Sequence, residues 1–185
     1  PGQCKLRMTA DGKVQEQVFT ILANPNVPGD LADYAEQQEM LTEIEDVIRD
    51  IHESVNQMRS ARKQLHGYAD LLKGREGIED LVKLGDSLVS RIDSWEENLI
   101  QPDQKTFQDV INFNNQLNAE LMYLKGFIDN ADPKVTEGAK SRLQDLKTDW
   151  NVYRNERDAI IDNEMKAYNA KYRQLGIPAI ILDEE

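Results

Sequence analysis

The spacing of apolar positions is most regular from Tyr34 to Leu72. Tyr34, Gln37, Leu41, Ile44, Ile48, Ile51, Val55, Met58, Arg62, Leu65, Ala69 and Leu72 follow alternating three- and four-residue steps. That is a heptad seam sustained for about five repeats, and it predicts one helix from about Asp30 to Lys73. Only Gln37 and Arg62 interrupt it. Glu36, Glu39, Glu43, Asp46, Asp50 and Glu53 fall between seam positions and read as the solvated face. Asp30 is a good N-cap, and Gly74 suits the C-terminal cap. A single apolar stripe cannot be buried alone, so other helices or a second chain must cover it.

Residues 3–23 follow a different period. Cys4, Leu6 and Met8 alternate with Lys5, Arg7 and Thr9, and Asp11-Gly12 then supplies a two-residue hairpin turn. With that turn Ala10 pairs with Lys13, Arg7 faces Glu16 and Cys4 faces Phe19, which opposes unlike charges across the strands. An isolated hairpin is marginal in water, so it is expected to pack on the helices or on further strands. Asn24-Pro25-Asn26-Val27-Pro28-Gly29 reads as a linker. Residues 1–27 are thus a β-hairpin with its linker, and residues 28–185 a helical bundle domain.

Three more seams follow. Ile78, Leu81, Gly85, Leu88, Ile92, Trp95 and Leu99 predict a helix over about 76–99, ended by Gln101-Pro102-Asp103. Phe107, Val110, Asn114, Leu117, Leu121, Leu124 and Ile128 form the next, with Asn112–Asn115 as a kink or a non-helical approach. Asp132-Pro133 reads as an N-cap and first helical position. The last seam is Val135, Ala139, Leu143, Leu146, Trp150, Tyr153, Arg157, Ile161, Met165, Tyr168, Tyr172 and Leu175, closed by Gly176. Its extra four-residue step near Arg157 is a stutter. The apolar tail from Ile177 to Leu182 is expected to fold back on the bundle end. The first and last helices match in length, and the two middle ones together equal either. The expected fold is mainly α: an elongated antiparallel bundle of three rods, the middle one interrupted. A four-helix bundle is the alternative.

Charge narrows the partners. The 185 residues carry 34 acidic and 22 basic side chains, a formal net charge of −12. That disfavours nucleic acid and anionic membrane surfaces, which need a basic footprint. No apolar run is long enough for a membrane span. Cys4 is the one cysteine, so no internal disulfide forms. The opening Pro1-Gly2, leading directly into a strand, reads as a piece of a longer protein.

No catalytic constellation emerges. A carboxylate-bridged di-iron bundle needs Glu-x-x-His on two helices. Arg49 precedes His52 and Lys63 precedes His66 at that spacing. His52-Glu53 begins a zincin-like pattern, but Asn56 stands where the second imidazole belongs. Phosphate loops, dinucleotide fingerprints and nucleophile elbows do not occur. No catalytic, cofactor or metal residue is assigned, and the chain is read as not an enzyme. Trp95 and Trp150 read as core, and Arg62 and Arg157 as partly buried partners of carboxylates. Tyr153, Tyr168 and Tyr172 form the best aromatic stripe and the candidate interaction surface.

Several stretches carry a resemblance. Pro1-Gly2, the alternating strand, Asp11-Gly12-Lys13 and Phe19 to Val27 look like the closing strands of an immunoglobulin-like domain. Ile51 to Arg59, Phe113 to Leu117, Leu121 to Gly126 and Asp132-Pro133 resemble the helical region that follows in bacterial sortilin-like, BNR-repeat proteins, often labelled glycosyl hydrolases. Cys4 stands where an aromatic is usual there, and Asn24-Pro25-Asn26 replaces an acidic-Pro-basic linker. The resemblance implies a non-catalytic C-terminal module of an exported, propeller-containing protein, in the periplasm or outside the cell, with the N-terminal domains of that protein as partners. An oligomerisation module pairing with itself, and an accessory carbohydrate-binding domain, are the alternatives.

Overall fold

A computed structural model describes residues 1–178, 180 and 181. The chain is mainly helical and is preceded by a two-stranded antiparallel hairpin. Strand β1 (Gly2–Ala10) pairs with β2 (Lys13–Ile21) in the register expected, with Cys4 opposite Phe19, Arg7 opposite Glu16 and Ala10 opposite Lys13. Asp11 and Gly12 both hold positive φ in the turn. Among the described residues neither strand packs on a helix, so of the two shelters expected, the helices or further strands, the helices are not one.

Helix α1 (Leu31–Leu71) is about 60 Å long at 1.5 Å per residue. Asp30 caps it reciprocally with Asp33: Ala32 and Asp33 donate to the Asp30 carboxylate, and the Asp30 amide donates back to Asp33. Gly74, at φ +87, turns the chain beyond its end. Helix α2 (Glu79–Glu97) returns along the C-terminal half of α1, and α3 (Leu117–Ile128) along the N-terminal half. Arg59 and Arg62 reach Glu96 and Asp93 of α2, and Glu45 and His52 meet Lys125 and Asn118 of α3, each at 2.8 Å; in both pairs the numbers run in opposite senses, which fixes α2 and α3 as antiparallel to α1.

The final rod is α4 (Glu137–Ala159), a π-helical turn (Ile160–Met165) and α5 (Lys166–Gln174). It runs parallel to α1. Lys140 meets Glu36 at 2.6 Å, Lys147 meets Glu43 at 2.9 Å and Arg154 meets Asp50 at 3.8 Å, a ladder stepping one heptad at a time on both helices. The molecule is therefore three rods with an interrupted middle. The core between them holds Ile44, Ile51, Met58, Leu81, Ile92, Trp95, Leu121, Leu146, Trp150 and Ile160.

Both interruptions of the α1 seam have partners. Gln37 donates to the carbonyls of Ile128 at 2.7 Å and Asn130 at 3.1 Å, satisfying the end of α3. Arg62 sits in a charged knot. Glu96, 7 % exposed, accepts from Arg59 through Oε1, and its Oε2 lies 3.1 Å from Arg62 but out of line for a hydrogen bond. Arg157 likewise bonds Ser54 and Asp158. Trp95 donates to the Tyr153 carbonyl at 2.8 Å and Trp150 to Asp50 at 2.9 Å, so both indoles are core with satisfied N–H groups.

Four expectations shift. Helix α2 begins at Glu79, because Gly77 at φ +79 holds the preceding residues in a turn. The third seam is cut: Phe107–Ile111 is a separate 3-10 turn, and exposed Val110 and Asn114 do not join the core. Asp132-Pro133 does not start the last helix. Asp132 closes a turn onto the Lys134 amide at 3.1 Å, and Thr136 is the N-cap, accepting from Ala139 at 3.2 Å. Pro133 instead seats the linker, since a Cβ on Gly29 would lie 2.6 Å from its Cγ. At the stutter, Ile160 and not Ile161 is fully buried. In the tail, Ile177 and Ile181 pack partly on the core, while Ala179 and Leu182 lie outside the described residues.

Candidate docking surface

In an antiparallel pair, residues directly opposite share a face. The observed register therefore gathers Cys4, Leu6, Met8, Phe19 and Ile21 on one side of the hairpin. Leu6, Met8, Phe19 and Ile21 are all exposed. The other side carries Lys5 and Arg7, both paired with Glu16, at 3.1 and 2.6 Å. The first face thus gathers most of the large apolar side chains, beside Gln15 and Gln17, and the second mixes its ion pairs with exposed Val14 and Val18; among the described residues no helix covers either face and both strand edges are open. Burying the first face would stabilise it by roughly 1.5–3 kcal/mol for each large side chain fully covered.

The three tyrosines singled out in the sequence do not share an open surface. Tyr168 is 7 % exposed and packs beside Gly85, and burial raises its pKa above 10.0. Tyr153 is half-buried, and its backbone carbonyl accepts from the Trp95 indole. Tyr172 leans on Tyr68, ring centroids 5.2 Å apart, and donates to the Pro178 carbonyl at 3.1 Å. Tyr168 and Tyr172 also lie at the end of the bundle away from the hairpin linker.

The exposed aromatic surface is elsewhere, on α3. Met122, Tyr123 and Phe127 are 57, 59 and 62 % exposed. They fall just outside the Leu117, Leu121, Leu124, Ile128 stripe that α3 buries. The seam spacing that located the core contained this signal: α3 has apolar residues on its outer face as well, in excess of what one seam uses.

Comparison with known proteins finds no matching family model, curated protein or solved structure. Among the described residues no helix is long and apolar enough to cross a membrane.

Proposed function

We propose that this chain is a non-catalytic structural and interaction module. Its three rods hold a docking hairpin at one end of a stiff spacer about 60 Å long. The observation that carries this reading is the hairpin: a fully registered strand pair whose apolar face meets no helix. Two strands alone are marginal in water, so a pair held this regularly is suited to completion by strands from elsewhere. The resemblance to the C-terminal region of sortilin-like, BNR-repeat proteins supplies the partner: a β-rich N-terminal domain of an exported protein, against which Cys4, Leu6, Met8, Phe19 and Ile21 would lie.

Cys4 reports on this directly, because it is the one thiol and lies on the apolar face. Alkylation should be fast in the chain purified alone, and slower by an order of magnitude or more in the protein as isolated from its source. Equal rates in the two would sink the proposal. Protection that rises with the concentration of the chain alone would assign the hairpin to self-association.

A further inference from the structure

We infer that a recess between α1 and the last rod, beside the π-turn, binds a small neutral aromatic molecule that carries a hydroxyl group, of the size of phenol. This goes beyond the reading of a spacer with a docking hairpin and does not rest on it.

The ion pairs between α1 and the last rod stop partway along. They run from Glu36–Lys140 to the contacts of Asp50 with Arg154 and Arg157, and among the described residues none lies beyond. Past Arg157 the two rods bound a recess of about 190 Å³ instead. Its walls are apolar: half-buried Ala61 and buried Leu65 of α1, buried Leu88 of α2, and half-buried Met165, the last residue of the π-turn. Tyr68 and Tyr168 also line it, and two exposed carboxamides, Gln64 and Asn169, complete it. No lining residue is charged, although the chain carries 34 acidic and 22 basic side chains in 185 residues. The recess nearer the start of the same two rods is the opposite, lined by Glu36, Glu39, Glu43, Lys140 and Lys147. π-turns recur at functional sites, and this one borders the uncharged recess.

Tyr168 is 7 % exposed, yet among the described residues its hydroxyl bonds no protein group and keeps open surface. A tyrosine this buried ordinarily satisfies its hydroxyl, as Tyr172 does on the Pro178 carbonyl. The Tyr168 ring is held against α2, since a Cβ on Gly85 would lie 3.3 Å from its Cε2. The hydroxyl is therefore positioned before any ligand arrives. Tyr168 lines one other opening, toward Gly85. At about 20 Å³ that crevice has room for one water molecule, so a larger partner must come through the recess. Size and chemistry select the occupant. An apolar cavity of about 150 Å³ accepts benzene, so this recess suits one ring with one substituent. Ala61, Leu65 and Leu88 gain by covering the ring, and the Met165 thioether and the tyrosine rings suit aromatic edges. A lining without charge disfavours an ion, which would lose its hydration there without a partner. A phenolic hydroxyl can both donate to and accept from Tyr168.

The five methionines place a reporter on each competing surface. Met8 lies on the hairpin, Met40 in the charged recess, Met58 in the core, Met122 on the outer face of α3 and Met165 in the proposed site. In the full chain with methyl-labelled methionine, an NMR titration with phenol should shift Met165 alone, saturably, with a Kd of about 1 mM or below. Ala61→Leu fills the recess and should abolish the shift, with unchanged Met40 and Met58 signals showing that the fold is intact. Tyr168→Phe keeps the ring, so it should weaken phenol about fivefold and leave toluene binding as it was. No saturable shift at Met165 overturns the proposal, as does one that survives Ala61→Leu in a folded chain. Equal phenol affinity in Tyr168→Phe removes the hydroxyl contact and overturns the ligand class. Shifts at Met8, Met40 or Met122 as large as those at Met165 would mean unselective binding to exposed apolar groups and also overturn it.

Discussion

The backbone amide of Asn118 donates to the carbonyl of Leu99 at 3.1 Å, and that of Leu117 to Asn98 at 3.4 Å. The first amides of α3 are thus satisfied by the last carbonyls of α2, as though one helix continued into the other. Residues 100–116 are an excursion spliced into the middle rod. In an α-helix each amide bonds four residues back, so two residues between Leu99 and Leu117 would make both bonds regular. Replacing residues 101–116 by a single alanine, which keeps half-buried Ile100, should preserve the fold. Far-UV circular dichroism should show more helix, and Tm should be equal or higher. Loss of cooperative unfolding would show that the excursion itself holds the rods together.

The π-turn Ile160–Met165 follows the same arithmetic. Successive four-residue steps from Tyr153 to Met165 drift off the seam by about 40° each, and one widened turn takes up the surplus residue. Deleting exposed Asp162 should convert that turn to ordinary α-helix and leave Tyr168 facing Gly85, with stability changed by less than about 1 kcal/mol. Deleting Asp149, equally exposed but inside α4, should rotate Trp150 to Ala159 by about 100° off the core even if the π-turn then gives up its extra residue, and so should cost far more stability. Similar losses from both deletions would refute this account of the turn.

The charged knot at Glu96 should be costly to break and cheap to replace. Glu96→Ala removes the acceptor of Arg59 and leaves Arg62 with Asp93 alone, an expected loss of about 1–3 kcal/mol in urea unfolding, moderated because Arg59 reaches water. The double substitution Glu96→Leu with Arg62→Met should recover much of it, since apolar groups then fill the buried positions while the released partners, Arg59 and Asp93, are exposed enough to reach water. A double variant less stable than Glu96→Ala would mean that the pair itself stabilises the α1–α2 contact.

Stability should fall on the alkaline side. The hydrogen bond that Lys125 donates to Glu45 raises its pKa above 10.5, and those that Lys140 donates to Glu36 and Glu137 do the same for Lys140. Burial raises Tyr168 and Tyr172 above 10.0. The folded chain holds these protons more tightly than the unfolded one. Their contribution is complete below the ordinary values and is lost as pH rises through the raised ones. Asp109 has the opposite sign: amides of Thr106 and Lys105 lower its pKa below 3.8, so its share is present above that value and lost in acid. Thermal unfolding should give a Tm that declines from about pH 10 upward, with phenolate absorbance rising in step. A Tm unchanged through that range would count against these contacts.

The rods were legible because their signal is local and repeated. The seam from Tyr34 to Leu72 names Ile44, Ile51, Val55, Met58, Leu65 and Leu72 in the buried face, though it misses Met40 and Ser54 and includes exposed Ala69, and Asp11-Gly12 sets the hairpin register alone. Helix starts were harder. Asp132 followed by Pro133 satisfies the usual N-cap pattern, yet Pro133 is committed to the Gly29 contact, which joins residues far apart in sequence. The candidate surface was hidden for a related reason. Periodicity finds what a helix buries, whereas Met122, Tyr123 and Phe127 matter because neither α1 nor α4 covers them. Tyr168 and Tyr172 lay on the seam itself, and seam position is a sign of burial.

The parallel ladder of Glu36–Lys140, Glu43–Lys147 and Asp50–Arg154 has a mechanical consequence. Because α1 and the final rod point the same way, the polypeptide passes in at the hairpin end and leaves the rods at the opposite end. Tension applied across the two ends would pull the rods lengthwise past one another, loading their interlocked seams and ion pairs together in shear. A four-helix hairpin stack, with both ends on one side, would instead unzip one contact at a time.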